Sequence, residues 1–391
     1  MSTETFIKDK AFLTPAFRIE LNGQDAGREV ISDVLEVSFT DDLTNIDSFE
    51  FVLHDWDPIA WRPRYSSPRD EAGKYYELYE GGPKIPGFDL GAKVSLYLGY
   101  LEDGELPLIM EGEVVSLAPS FPATGAPTCR VRALNAFLRK LQRIRVEDNN
   151  KDGKAYDGTP KNIVDEICQE NSIKVRWATL ETEGKFKKSV AVEGVLYDEI
   201  ASRAKGYGLN MTTEIEDGAP ILYLAKSTQS NDEAVADFVW GRTLISFTPV
   251  LSVAGLVSKV VCRGSDPSKS GDAQKIEVEK TWDDARLLPS AQEEIKVAVS
   301  RIVEVIKPDG VETIEDAERA ALAYLHQQAG TIITGSGTAI GLPTLRAGKI
   351  ISMAGLGGRF NGVYRLTQTT HSIGGSGYTT TFQCRKEVLS G

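Results

Sequence analysis

Sulfur and imidazole are scarce in this 391-residue chain, which has four cysteines, four methionines and three histidines. Cys129, Cys168, Cys262 and Cys384 are far apart and form no CxxC pair. That spacing excludes a zinc ribbon or a disulfide framework and suits a reducing compartment. His54, His326 and His371 are too few for a His-rich centre, so no metal and no cofactor is expected. Long apolar runs are absent too. The stretch around Phe247 to Cys262 is broken by Thr248, Pro249, Ser252, Ser258 and Lys259, so it cannot cross a bilayer and no direct membrane insertion is expected. Met1 to Lys10 has no apolar core and is not a signal peptide, which places synthesis and folding in the cytoplasm. Positive charge is in deficit: 44 Lys and Arg against 56 Asp and Glu leave a net charge of −12. That sign disfavours sequence-independent binding to nucleic acid or anionic lipid.

The chain does hold enough apolar residues for packed cores, 41% of the total, and 36 glycines that point to many turns. Its first 140 residues read as strands. Phe17 to Leu21 alternates with period two and runs into Asn22-Gly23, a hairpin signal. Further alternating runs lie at Val34 to Phe39, Phe49 to Leu53, Val94 to Leu98, Ile109 to Leu117 and Cys129 to Leu134. Short strands split by Gly and Pro turns predict an antiparallel sandwich or barrel. Residues 56–88 interrupt it with five prolines and the aromatics Trp56, Trp61, Tyr65, Tyr75, Tyr76 and Tyr79. A long aromatic loop inside a β-domain reads as a partner-contact surface.

After the polar stretch Glu147 to Gly158 the pattern turns to α/β. Pro160 opens a helix whose apolar face is Ile163, Val164, Ile167 and Cys168. A strand at Ile173 to Trp177, a helix over Leu196 to Lys205 and a hairpin turned at Asp217-Gly218 follow. Strands return at Thr243 to Val250 and Val257 to Arg263. Ile295 to Ile306 fits either helix or strand. Thr313 with Asp316 makes a capping box for a helix ended by Gly330, and alternating strands fill the rest. The division is a first β-barrel over 1–146, an α/β domain over 147–240, and a second barrel over 241–391 interrupted by a helical segment at about 265–330. A weak echo links the two β-regions. Gly91 to Leu96 before Glu111-Gly112-Glu113-Val114 resembles Gly348 to Met353 before Asn361-Gly362-Val363-Tyr364.

Catalytic and ligand motifs fail in turn. Asp148 to Gly153 begins like an EF-hand loop, but Thr159 stands where the bidentate Glu is needed. Gly348-Lys349 lacks the first glycine and the hydroxyl of a phosphate loop, since Pro343 and Ile350 occupy those places. Tyr378 replaces the second glycine of a nucleophile elbow, and His54-Asp55 point to opposite faces of a strand. No catalytic residue is assigned, and an enzyme is not expected. The basic run Arg130, Arg132, Arg139, Lys140, Arg143 and Arg145 holds no acid. It reads as a solvated face or a contact for an acidic protein, with Arg139 and Arg143 as candidates.

Three ordered stretches together resemble the phage late control D family. They are Pro15 to Phe51 with Gly91 to Tyr100 and Arg130 to Leu141; Thr159 to Ile167 with Asp198 to Ala201 and Gly206 to Leu209; and Gly362 to Tyr364 with His371, Gly377-Tyr378 and Phe382 to Arg385. The resemblance covers nearly the whole chain and makes His371, Gly377 and Tyr378 structural motif residues. It implies the hub fold of contractile tails: α+β, mainly β, with two antiparallel β-barrel domains joined by α/β segments. It also implies a homotrimer at the centre of a baseplate, adapting a hexameric inner tube to a trimeric spike. Because the chain ends at Gly391, just after the second barrel, the spike is expected to be a separate protein. Adaptor or wedge proteins would be neighbours, with assembly in the bacterial cytoplasm before incorporation into a phage tail or injection particle. An envelope-directed carbohydrate hydrolase and a carbohydrate-binding β-protein are the alternatives.

Overall fold

The computed structural model describes residues 13–59, 61–66, 88–146, 160–177, 194–206, 209–216, 218–226, 233–288, 302–308 and 311–388, residue 295, and short strand pairs at 76–77, 84–85, 156–157 and 189–190. In chain order the first unit comprises β1 (Pro15–Leu21), α1 (Gly27–Asp33), β2 (Val34–Asp42), β3 (Ser48–His54), β4 (Lys93–Tyr100), β5 (Leu108–Ser120) and β6 (Thr128–Asn135). The middle holds α2 (Ala136–Arg143), α3 (Pro160–Glu170), β7 (Val175–Trp177), α4 (Leu196–Gly206), β8 (Leu209–Glu216) and β9 (Ala219–Lys226). The last part comprises β10 (Ala236–Val239), β11 (Leu244–Leu251), β12 (Lys259–Ser265), β13 (Lys275–Thr281), β14 (Val303–Ile306), α5 (Ile314–Ala329), β15 (Ile333–Ile340), β16 (Ile350–Ala354), β17 (Gly362–Gly374) and β18 (Gly377–Lys386).

Local chemistry accounts for most of these boundaries. Asn22 and Gly23 both adopt positive φ at the end of β1, as a tight hairpin turn requires. The Asn135 side chain caps α2 by accepting from the amides of Phe137 and Leu138. At α5 the expected capping box is formed in both directions between Thr313 and Asp316. The ambiguous stretch resolves as strand at Val303–Ile306, paired in parallel with β12. The insertion in the second unit is therefore a three-stranded sheet, β13-β12-β14, with α5 packed beside it, rather than helix alone. The charged alternation of Lys275–Thr281 hid β13, because its exposed face carries glutamates and lysines in place of apolar residues. The EF-hand-like stretch lies mostly outside the described residues.

The fold is mainly β, with five α-helices among the described residues. One thirteen-stranded sheet, with the two-residue strand Gln24–Asp25 at its β1 edge, runs through both units. Its first half is ordered β2-β3-β6-β5-β4-β1 and its second half β11-β15-β18-β17-β16-β10. These are the same order, strand for strand. The second unit also begins earlier than position 241, since β10 is one of its strands. One difference separates the units: β1 lies antiparallel to β4, whereas β10 lies parallel to β16.

The match extends to register. The ladder between β2 and β3 is bulged between Val34 and Glu36, and that between β11 and β15 between Leu244 and Ser246. The ladder between β5 and β6 is bulged between Val114 and Ser116, and that between β17 and β18 between Leu366 and Gln368. Gly91 (φ 87°) donates its amide to Val114 O, and Gly348 (φ 86°) to Leu366 O, each at 2.8 Å. The echo in the sequence is thus a duplicated unit. Its second half was misaligned by two residues, because Tyr364, not Gly362, is the counterpart of Gly112.

Three hydrophobic clusters lie under these elements. One holds Phe39, Phe49 and Phe51 of the first unit, a second Phe238, Tyr364 and Phe382 of the last, and a third Ile163, Ile200 and Leu222 of the middle. Ile373 and Tyr378 of the second unit pack into the first unit's core. That intrusion follows from pairing: the distal half of β17, Gln368 to Ile373, runs antiparallel to β2, Asp42 to Val37.

Candidate functional site

A buried polar region lies where the two β-units and the α/β elements meet. Turns place the groups: Asp41 ends β2, Asp47 precedes β3, Asn135 ends β6, and Arg346 and Ala347 precede β16. The Arg346 guanidinium donates to Asp41 and lies over the Phe39 ring, 4.9 Å from its centroid. Ala347 N also donates to Asp41, at 3.1 Å. Asp47 accepts from Asn135 Nδ2 and from Thr213 Oγ1 of β8, both at 3.0 Å. Lys349 Nζ reaches Glu214 of the same strand at 2.7 Å. Burial, reinforced by neighbouring Asp41, pushes the Asp47 carboxyl up to about 8, so it holds a proton at neutral pH. Arg346 stays charged: its burial works against the charge, but the Asp41 carboxylate beside it outweighs that. This cluster pins three parts of the chain together.

His371 and Tyr378 lie beside it. His371 Nε2–H donates to Leu345 O at 2.8 Å, so Nδ1 is free to accept from the Tyr378 hydroxyl at 2.9 Å. Thr380 Oγ1 is 3.2 Å from the same Nδ1. Gly377, at φ 90°, forms the turn that brings β18 back along β17 and so sets Tyr378 opposite Ile373. The Tyr378 ring covers Gly341, leaving no room there for a Cβ. Tyr100 of the first unit donates to Gly341 O at 2.8 Å. Tyr378 thus packs between the two units, positioned by the Gly377 turn and by its hydrogen bond to His371.

This arrangement has a pH signature. Burial lowers His371 to about 4, so below 6.5, its ordinary value, the unfolded chain binds a proton that the folded chain resists. Its contribution is fully present above pH 6.5 and is lost as pH falls towards 4. Asp47 works in the opposite direction: its raised value makes stability rise on acidification between pH 8 and 4. Urea midpoints between pH 7 and 5 are expected to fall more steeply for Asp47→Asn than for the native protein, and less steeply for His371→Gln.

The other sequence-derived candidates fall in several places. Trp61 is 76% exposed and stacks obliquely on Trp56, with ring centroids 5.6 Å apart. Ile59 beside them is 89% exposed. Tyr65 belongs to the core instead: it packs on Phe88, and its hydroxyl donates to Asp33 at 2.7 Å. Tyr76 pairs with Ile85 in a two-residue ladder. Tyr75 and Tyr79 lie outside the described residues. Arg139 and Arg143 both reach Glu113 of β5, Arg143 at 2.8 Å, while Arg130 and Arg132 flank Glu50 of β3. The basic run is therefore interleaved with acids by the sheet, though none stands within it in sequence. Asp41, Asp47 and Arg346 were missed, because their meeting depends on pairing between β17 and β2 across more than 300 positions.

A groove of about 320 Å³ crosses the outer face of the second unit. Its walls carry hydroxyls and amides from Ser246, Thr248, Ser336, Thr381 and Gln383, with Gln368 and Thr370 of β17 at one side. Among the described residues no group of His, Cys, Asp and Glu is arranged to hold a metal ion. No helix of the described residues is long and apolar enough to cross a membrane.

The geometry defines a mainly β protein built from a duplicated, in-register strand unit with an α/β insertion. Residues 88–375 match the model of the Alg8 N-terminal domain family, and the chain belongs to that family. No curated protein matches it. Solved structures share the fold along nearly the full length. A 43 kDa tail protein of prophage MuSo2 from Shewanella oneidensis is 16% identical, with a TM-score of 0.65 over 96% of this chain and 99% of that one. A tail protein from Neisseria meningitidis is 12% identical, with a TM-score of 0.61 over 96% and 100%. A component of the E. coli type VI secretion system, described as structurally similar to the bacteriophage T4 tail proteins gp27 and gp5, is 11% identical. Its TM-score is 0.52 over 94% of this chain and 76% of that one.

Proposed function

We propose that this chain is a structural, non-enzymatic subunit at the centre of the baseplate of a contractile phage tail or injection system, a hub of the late control D type. Three copies would adapt a hexameric inner tube to a separate trimeric spike. The carrying observation is the in-register duplication: each copy holds two equivalent six-stranded units, so a trimer presents six. Fold similarity to phage tail proteins and to a secretion-system component supports the same reading. In this role the buried cluster at Asp41, Asp47 and Arg346 serves rigidity, holding the two units at a constant angle within the ring.

The test is assembly. Purified protein mixed with the spike protein encoded by the same particle should co-elute with it, and addition of tube protein should extend the complex from one face only. Release of peptidoglycan fragments by the protein alone would favour the hydrolase alternative, and retention on a glycan array the carbohydrate-binding one.

The exposed Trp61, with the half-buried Trp56 beneath it, is the proposed contact for an adaptor or wedge protein. Trp61 sits at φ 56°, a conformation costing a non-glycine residue about 1 kcal/mol, and strain held in the open points to binding rather than packing. Trp61→Gly should leave thermal stability unchanged or slightly raised. Its expected effect is loss of that partner in a pull-down with retention of the spike.

A further inference from the structure

The junction between the two units inside one chain also specifies how copies join. Within the chain, the distal half of β17 projects beyond its ladder with β16 and pairs with β2 of the other unit. The counterpart of β17 is β5, which likewise projects: its ladder with β4 ends at Glu113, and beyond Val114 its ladder among the described residues is with β6 on one side only. The counterpart of β2 is β11, the terminal strand of the large sheet, whose only ladder among the described residues is with β15. Two halves of the same junction are therefore left open at opposite ends of one chain. We propose that the distal half of β5 pairs antiparallel with β11 of a second copy of this chain, repeating between copies the β17–β2 ladder found within each. Only the number of copies in the ring rests on the hub reading.

Register follows from the duplicated bulges. Positions in β11 correspond to β2 through Ser246 and Glu36, and positions in β5 to β17 through Ser116 and Gln368. Transferring Thr370 opposite Thr40 sets Ala118 opposite Val250 of the next copy, and transferring His371 opposite Phe39 sets Pro119 opposite Pro249. The backbone direction agrees. Ser252 N–H donates inward to Ile332 O, so Leu251, Pro249 and Phe247 turn their backbone groups to the open edge. Leu43 N–H donates to Thr367 O, which makes Phe39 and His371 a hydrogen-bonded pair and gives the two prolines that same position.

An edge proline ordinarily discourages pairing, since it offers no N–H. Here the prolines on the two edges face each other, and neither strands a donor of its partner. A slip by two residues in either direction would set each against a leucine or phenylalanine whose N–H would go unpaired. The prolines thus select this register while blocking others. Leu117 with Leu251, and Phe121 with Phe247, supply the remaining ladder bonds. The exposed side chains fit as well: Phe121 is 58% and Val250 53% accessible in the single chain, and both would be covered. Such a contact is head-to-tail, so it does not stop at a dimer and gives a ring where its rotation closes, as the trimeric hub reading requires.

Cysteine cross-linking reads the register directly. Thr40 Oγ1 and Thr370 Oγ1 are 3.1 Å apart within the chain, so Ala118→Cys with Val250→Cys places two sulfurs within disulfide reach between copies. The four native cysteines are buried and should stay silent. Oxidation of the double variant should give a covalent closed trimer on a denaturing gel, and each single variant only monomer. Ser120→Cys with Thr248→Cys, the next pair in the same register, should behave identically and serves if the first variant folds poorly. Absence of cross-links in double variants that light scattering finds trimeric overturns this pairing and leaves the hub reading standing. Variants that stay monomeric with and without spike protein overturn both.

Discussion

Arg346→Met should destabilise the protein by about 3–5 kcal/mol, the penalty for leaving the buried Asp41 carboxylate without its ion-pair partner. Arg346 donates to Asp41, and its removal leaves the buried Asp41 carboxylate with only the Ala347 amide and the neutral Asp47 carboxyl beside it. Asp47→Asn should cost within about 1 kcal/mol, because Asp47 is already protonated at neutral pH and an amide reproduces its contacts to Asn135 and Thr213. Urea unfolding of both variants at pH 7 makes the comparison. Equal losses would mean that Asp47 is ionised and that the cluster is balanced differently.

Tyr378→Ala should cost about 3–5 kcal/mol through the cavity it opens between the units. Its ring packs against Tyr100 at a centroid distance of 5.4 Å, against His371 at 5.9 Å and over Gly341. Tyr378→Phe keeps that volume and removes one donor. It should cost only about 1 kcal/mol, since Thr380 Oγ1 is near enough to His371 Nδ1 to take over. Thermal unfolding should therefore rank native above Phe above Ala, with the larger gap at the second step. A Phe variant as damaged as Ala would show the hydroxyl, not the packing, to be what joins the units.

Strand periodicity and turn chemistry made the elements legible. Phe49-Glu50-Phe51-Val52-Leu53 alternates because one face of β3 is core and the other is not, and Thr313 with Asp316 announces α5 by a purely local device. Long-range order was harder to see. The duplication is nearly invisible in sequence because the two units distribute aromatic volume differently across facing strands. Phe49 and Phe51 of β3 correspond to Gly335 and Gly337 of β15, and a Cβ at either glycine would press on the Phe247 ring of the adjacent strand. The second core thus recovers on β11 and β18, through Phe247 and Phe382, what β15 lacks. Such exchanges keep total volume and patterning, which is what a fold requires, while erasing residue identity. The same gap between local and distant signals explains why Trp61 and Tyr65 read alike in the sequence, although Trp61 is exposed and Tyr65, four residues on, belongs to the core.

The central claim is that three copies of a duplicated unit form one closed ring. Multi-angle light scattering of the purified chain, alone and with its spike protein, tests it most directly. The expected result is a particle of three times the 42.7 kDa chain mass for the chain alone, or of that mass plus the mass of the spike in the mixed sample. A mass of one chain in both samples would contradict it.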